Sequence, residues 1–283
     1  MAGMINSTTR SLRSNTTMPP EELSSQQLFN NIRKVILTTK DNADLTFPNI
    51  PPSSGLQLAT SFSEDPDIER ALPRISYNSV TRVLTARVMP TRIHDCHHDW
   101  LVKELYQMGT EGFLTASEID ELKIQTGTTF RGFTAPYAYS SKEPDTYLLP
   151  DDKPLPTVVV ETGWSESWPR LYADKDLWLV GGGGAVQLVM LIRWTKITGN
   201  RIKGDLQVHG RDPAGNGVLL QAESIFPAPA VGSSTQSVSV TRGQLFGANT
   251  FSGRNPNDIY KLSIPNLRSK ATGSIRAMGF IPA

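Results

Sequence analysis

Two aliphatic runs in the middle of the chain constrain its fold more than any other feature. They are Thr157 to Val160 and Val186 to Trp194, and both are almost continuously apolar. Runs of this kind are typical of strands that are covered on both faces. A shorter segment at Leu148 and Leu149 precedes them, so the stretch from Ser141 to Lys196 predicts three strands.

One helix is predicted between the second and third of these strands. A turn at Gly163 is followed by Ser165 or Ser167 as the N-cap, with Pro169 tolerated in the first helical turn. A stripe at helical spacing then consists of Trp168, Leu171, Tyr172, Lys175, Trp178 and Leu179.

Acidic residues stand at the ends of the predicted strands. Asp145 opens the first strand directly after Pro144, and Glu161 closes the second. The lysine in the helical stripe has two interpretations: the stem of Lys175 extends past apolar neighbours to water, or its ammonium points back at the two acids. The second interpretation brings two carboxylates and one ammonium together at an edge of the sheet.

Such a group suits metal-assisted hydrolysis of a phosphodiester. Carboxylates hold Mg²⁺, which prefers oxygen ligands, and Mn²⁺ is the alternative cofactor. The metal polarises the phosphate and lowers the pKa of the attacking water, while a fixed cation neutralises charge that builds up on the phosphate. We therefore expect Asp145, Glu161 and Lys175 to be catalytic, with the two acids as metal ligands.

These residues resemble the PD-(D/E)xK nuclease superfamily, which has the restriction-endonuclease-like fold. The matching features are Pro144-Asp145, Glu161 sixteen residues later, and the phrases KEPD and VVVETGWSES. The superfamily's usual lysine is replaced by Gly163, but a bacterial group of endonucleases carries it on the following helix, where Lys175 stands. The wider phrasing, with the Leu-x-x-Asp step to Asp174, is similar to a fungal branch over about residues 74 to 280.

The resemblance implies an α/β fold: a restriction-endonuclease-like core with a mixed sheet flanked by helices, and a β-rich C-terminal extension. It also implies a nucleic-acid substrate, expected to be DNA. An acid on the first core helix often supports the metal in this superfamily. Glu104, on a helix predicted from Asp95 to Met108, is the best match, although it also suits an ordinary acid at a helix margin. Arg193 and Lys196 end the third strand and are expected to bind phosphates, or to form a solvated face.

The predicted organisation has four parts: a disordered start (1–25), an N-terminal segment with a β-hairpin (26–90), the nuclease-like core (91–200) and the extension (201–283). The segment before Thr38 forms either a helix or a strand. The remaining predicted elements are a hairpin of Ile75–Tyr77 with Val83–Val88, a strand at Phe130–Ser140, a hairpin of Arg201–His209 with Gly217–Phe226, and a helix at Asn266–Met278.

Composition limits the possible functions. The net charge of the 283 residues is +1, so any nucleic-acid site must be a local basic patch. The single cysteine, Cys96, excludes an internal disulfide and fits an intracellular, cytoplasmic or nuclear compartment. No apolar run is long enough to span a membrane. Residues 1 to 20 contain Arg10 and Arg13 and no acid, a composition that overlaps with organelle transit peptides.

Three alternatives to the nuclease site follow from other features. His94 and His98 have the spacing of a helical zinc site, with His209 as the remaining histidine. Gly181 to Gly184 resembles a phosphate loop but lacks its GK[ST] ending, so a helix C-cap and turn is favoured. Since Gly163 replaces the usual lysine, a catalytically inactive relative that keeps the fold for binding or as a structural unit is the third alternative.

Overall fold

The computed structural model describes residues 23–89, 91–151, 153–164, 166–212, 214–230, 235–247, 249 and 251–283. The predicted disordered start therefore lies almost entirely outside the described residues, as does Ser165. The described residues form a mixed α/β structure in which a mixed sheet is flanked by helices. None of its helices is both long and apolar enough to cross a membrane.

The N-terminal part forms a small antiparallel sheet with three helices and its own apolar core. The strands are β1 (Ala43–Phe47), β2 (Arg74–Asn78) and β3 (Val83–Val88), in the order β1-β3-β2. The helices are α1 (Ser25–Thr38), α2 (Pro52–Glu64) and α3 (Pro66–Ala71). The predicted hairpin is confirmed, since β2 pairs with β3. The undecided segment before Thr38 is helix α1, which starts with a capping box between Ser24 and Gln27.

The strands of the central sheet are β4 (Leu122–Gln125), β5 (Thr146–Pro150), β6 (Val158–Trp164), β7 (Leu188–Ile197), β8 (Arg201–Arg211), β9 (Gly217–Phe226) and β12 (Ile281–Pro282). They are arranged in the order β12-β8-β7-β6-β5-β4, and β9 also pairs with β8. The two aliphatic runs form strands as predicted, and the structure places them as β6 and β7, in the middle of this order. β6 and β7 run parallel, whereas β5 is antiparallel to β6 and β8 is antiparallel to β7.

A helical crossover connects the parallel strands β6 and β7. It consists of α6 (Trp168–Asp176) and a π-helical turn (Leu177–Gly181), and the glycine turn that follows leads into β7. Ser167 is the N-cap, and Pro169 lies in the first turn as expected. Gly183 and Gly184 both adopt positive φ, so this run is a helix end and turn.

Alternate residues of the central strands face two different apolar layers. Val158 and Val160 pack with α4 (Cys96–Thr110) and α8 (Ile264–Ala277), whereas Val159 packs with α6. The C-terminal residues supply β8, β9 and α8 to this arrangement. The other elements are α5 (Ala116–Asp120), α7 (Arg242–Phe246) and the paired strands β10 (Ser237–Thr241) and β11 (Ile259–Ser263).

The strand predicted at 130–140 is wrong. This segment is irregular, with one isolated bridge between Phe130 and Lys142. Its aromatic residues Phe130, Phe133 and Tyr137 are three and four residues apart, and the first two make edge contacts with Trp178. They contribute to the core without the two-residue alternation of a strand.

Candidate active site

The candidate site lies where the small N-terminal sheet meets the start of β5 and the middle of β6. Glu161 does not close its strand as expected, because β6 continues to Trp164. Thr146 pairs with Val160 across these two strands, so Asp145 and Glu161 hold the next opposing positions. Both carboxyl groups are almost completely buried, at 1% and 3% exposure. The structure therefore brings these two predicted acids into one region of the molecule.

Asp145 is held by two arginines of the small sheet. Its Oδ1 accepts hydrogen bonds from Arg74 at 2.6 Å and from Arg87 at 2.5 Å, and its Oδ2 accepts one from the backbone N–H of Thr162 at 2.7 Å. Burial alone would raise the pKa of Asp145, but the guanidinium groups of Arg87 and Arg74 outweigh it and hold the pKa below its usual range. Asp145 is thus an ionised carboxylate that connects the small sheet to the central one.

Glu161 is buried with fewer compensating partners. Its Oε1 accepts a hydrogen bond from the indole N–H of Trp178 at 2.7 Å, and its Oε2 lies 3.4 Å from the Nζ of Lys142. Burial raises the pKa of Glu161 to about 8, against the opposing effect of Lys142, and the negative charges of Asp174 and Asp145 add to the rise.

Lys142 supplies the ammonium at this site. Its Nζ lies 2.9 Å from the Oδ2 of Asp174 on α6 as well as 3.4 Å from Glu161, and its side chain is 8% exposed. Burial would lower the pKa of Lys142, but Asp174 and Glu161 raise it above the ordinary value, so the amine stays charged at neutral pH. Two acids and an amine do converge here, with Lys142 as the amine.

Lys175 does not face these acids, contrary to our expectation. Its Nζ lies 2.6 Å from Asp176 and 5.9 Å from the centre of the Tyr172 ring. Its charge also lowers the pKa of His209 on β8, after burial as the main cause. Lys175 therefore covers the side of α6 that faces β8 and β9, away from the Lys142 ammonium.

Glu104 also lies away from the pair of acids. Its carboxylate accepts hydrogen bonds from the backbone N–H of Ser263 at 2.9 Å and from the side chain of Asn266 at 2.7 Å. These contacts hold α4 against the start of α8, and burial raises the pKa of Glu104. The structure thus gives Glu104 a packing role between two helices and does not place it as a third metal ligand.

Arg193 and Lys196 occupy opposite faces of β7. The Arg193 guanidinium lies 4.7 Å from the centre of the Trp168 ring and 3.3 Å from Asp205, while the Lys196 ammonium lies 4.7 Å from the Phe280 ring. An odd spacing along a strand separates them, so the expected joint phosphate patch is not formed.

The histidines do not form the alternative zinc site. His94 belongs to a 3₁₀ turn (Arg92–His94) that precedes α4, so it does not share a helical face with His98. His97 is the buried neighbour of the site, with its Nδ1 3.1 Å from the hydroxyl of Thr162. Cys96 is buried, and burial raises its pKa, which makes the thiol a poor nucleophile.

A polar well extends from Glu161 and Lys142 between the small sheet and α6. In the described part of the chain its walls carry five carboxyl groups and four cations: Asp44, Glu143, Glu161, Glu166 and Asp174, with Arg74, Arg87, Lys142 and Arg170. Burial raises the pKa of both Glu143 and Glu166 to about 7, so the well holds carboxyl groups that retain protons near neutral pH.

Four side chains of the site were not predicted from the sequence: Lys142, Asp174, Arg74 and Arg87. Lys142 stands three residues before Asp145 in the phrase KEPD, and Asp174 in the Leu-x-x-Asp step, so both were visible in the sequence. Arg74 and Arg87 are 71 and 58 residues from Asp145, and no local pattern relates them to it.

The donor set suits Mg²⁺ or Mn²⁺ in its chemistry and charge. It offers carboxylate oxygens, and three of its carboxyl groups have raised pKa values because they are buried with too few cations. Glu161 and Asp174, which already share the Lys142 ammonium, are the acids best placed to hold a cation. Asp145 is occupied by two guanidinium groups. Among the residues described, no three His, Cys, Asp or Glu side chains are gathered as a metal-binding group.

No protein-family model matches the chain, and no curated protein matches it.

Proposed function

We propose that the protein is a divalent-metal-dependent phosphodiesterase that acts on nucleic acid, with DNA as the expected substrate and a restriction-endonuclease-like core. The observation that carries the proposal is the position of the Lys142 ammonium, 3.4 Å from Glu161 and 2.9 Å from Asp174. An amine close to two acids, one on an inner strand and one on α6, is a combination that suits metal-assisted phosphodiester hydrolysis.

The residues have distinct roles in this proposal. Glu161 and Asp174 would hold Mg²⁺ or Mn²⁺, which polarises a phosphate and lowers the pKa of an attacking water. Lys142 stays protonated in its buried position and donates hydrogen bonds to the phosphate oxygens as negative charge builds up on them. Asp145 acts as a positioning residue, because its contacts with Arg74 and Arg87 fix the small sheet against the strand that carries Glu161.

The pKa of Glu161 links the site to its cofactor. At pH 7 and without a divalent cation, a carboxyl group whose pKa is about 8 is mostly protonated. Metal binding requires the ionised form, so a proton is released when the cation binds. Activity should therefore rise as the pH increases from 6 to 8.5, and the metal concentration needed should fall over the same range.

A plasmid-nicking assay tests the proposal. The purified chain is incubated with supercoiled DNA in EDTA, Mg²⁺ or Mn²⁺, at pH 7 and pH 8.5. The parent should nick the plasmid only with a divalent cation, and Glu161→Gln, which keeps the shape of the side chain, should lower the rate at least 100-fold. Cleavage by Glu161→Gln at the parent rate, or no cleavage by the parent in any metal, contradicts the proposal.

One observation favours a second candidate, a catalytically silent relative that uses this fold for binding. Both guanidinium groups that contact Asp145 come from the small sheet, and they satisfy the acid that usually holds metal in the superfamily it resembles. In this alternative the cluster is a structural connection between two parts of the chain. It predicts nucleic-acid binding in EDTA that is unchanged by metal, together with no nicking.

A further inference from the structure

A cavity of about 340 Å³ adjoins the polar well and plays no part in the proposed chemistry. One wall is the face of the small sheet with Thr46, Val83 and Thr85, and the other is α6 with Pro169 and Ala173. The volume is at the lower end of the range found for small-molecule sites, roughly 300–1,000 Å³. The walls are therefore spaced for one compact ligand.

The composition of the cavity changes from one end to the other. Most of its lining consists of apolar, aromatic, amide and short hydroxyl side chains, whereas the side that adjoins the well also carries the charged residues Lys142, Arg170 and Asp174. A ligand that fits both ends has a flat, mostly apolar part and an anionic part. Threonine and serine hydroxyls can both donate and accept hydrogen bonds at the polar edges of the flat part.

We propose that this cavity binds one nucleotide unit, with its base between the small sheet and α6 and its phosphate at the Lys142 end. This rests on the proposed function, because it makes the cavity the substrate subsite beside Glu161. A base that is stacked and paired in a duplex cannot enter a cavity of this size. The substrate is therefore single-stranded, or its base is turned out of the stack.

The charges of the well set a condition on this binding. Glu161 and Asp174 lie at the Lys142 end of the well, so a divalent cation held between them would add positive charge beside the phosphate. Nucleotide binding should therefore be tighter with Mg²⁺ than with EDTA.

The test measures binding, so that it does not depend on cleavage. Deoxyadenosine 5′-monophosphate is titrated into the full chain by calorimetry with Mg²⁺ or EDTA, and labelled single-stranded and duplex oligonucleotides are compared by fluorescence anisotropy in EDTA at pH 6. Ala173→Trp fills the cavity from α6, and Thr81→Trp places a ring at its exposed rim. Ala116→Trp makes the same kind of change on an exposed part of α5 and is the control.

The parent and Ala116→Trp should bind the mononucleotide and the single strand, and both cavity variants should bind them at least 10-fold more weakly with unchanged melting temperatures. If Ala173→Trp fails to fold, Thr81→Trp decides the result. Equal affinity of the cavity variants and the parent overturns the inference, as does no binding of the mononucleotide by the parent. Cavity-dependent binding without any nicking would refute the proposed function alone, and nicking by a protein whose cavity variants bind normally would refute the inference alone.

Discussion

Replacing Asp145 by alanine is the perturbation whose energetic cost follows most directly from the structure. Asp145 is 1% exposed, and its removal leaves two guanidinium groups, each 15% exposed, beside an empty position. Removing one partner of a buried ion pair costs about 3–5 kcal/mol. In this variant Arg87 keeps its ion pair with Asp44 at 2.7 Å, and Arg74 keeps its ion pair with Asp95 at 3.2 Å. We therefore expect a cost at the lower end of this range, about 3 kcal/mol.

Urea unfolding followed by circular dichroism measures this cost. A loss of about 3 kcal/mol corresponds to a fall in melting temperature of about 6–12 °C for a chain of this class. Lys123→Ala is the control, since its pair with Asp151 is half exposed and should contribute less than about 1 kcal/mol. Adding Arg87→Met to Asp145→Ala should recover part of the lost free energy of unfolding, because it removes one of the two guanidinium groups that have lost their contact with Asp145.

The pH dependence gives an independent check on the same contact. The folded pKa of Asp145 lies below the unfolded value of about 3.9, so its stabilisation is present above that pH and is lost as the pH falls through the folded pKa. The difference in unfolding free energy between the parent and Asp145→Ala should therefore shrink as the pH falls below about 4. A variant within about 0.5 kcal/mol of the parent at pH 7 refutes the reasoning, because exposed sites commonly vary by that much.

Two further predictions concern other parts of the chain. A Cβ on Gly55 would lie 2.0–2.3 Å from ring atoms of the buried Tyr77, so Gly55→Ala should lower the free energy of unfolding in urea by about 1–3 kcal/mol. A Cβ on Gly273 would have no atom within 4 Å, so Gly273→Ala should raise the free energy of unfolding by about 0.5–1 kcal/mol. The opposite ranking of the two variants contradicts this packing. The pKa of Glu161 is about 8 in the folded chain and lower in the unfolded chain, so between these values the folded chain keeps a proton that the unfolded chain releases. The stabilisation that comes from this proton is lost as the pH rises towards 8. Glu161→Gln should therefore lose less stability than the parent between pH 5 and 8.5, and identical slopes would show that the pKa is not raised.

The inner strands could be predicted from the sequence because their apolar runs are continuous and end at charged residues or turns. The helix between them was predictable for the same kind of reason, from its N-cap, proline and apolar spacing. The position of Asp145 beside Glu161 follows from antiparallel pairing of β5 with β6, which a short connection favours.

The amine of the site could not be assigned from periodicity. Lys175 lies on the predicted stripe, but the orientation of α6 on the sheet turns it towards Tyr172 and Asp176. Lys142 precedes β5 in irregular backbone, where its direction is set by the bridge to Phe130 and not by a repeating pattern. The same limit applies to Arg74 and Arg87, whose side chains reach the site only because a separate sheet packs against it.

The proposal that Lys142 supplies the ammonium of the site is tested most directly by comparing Lys142→Met with Lys175→Met in one plasmid-nicking assay with Mg²⁺ and Mn²⁺. Both substitutions remove one ammonium and keep a flexible apolar stem, and unfolding curves at the assay temperature establish that both variants are folded. We expect Lys142→Met to lower the nicking rate at least 100-fold and Lys175→Met to stay within about 3-fold of the parent, because the Lys142 ammonium lies beside Glu161 and Asp174 whereas that of Lys175 lies beside Asp176. Loss of nicking in Lys175→Met with full activity in Lys142→Met would contradict this proposal.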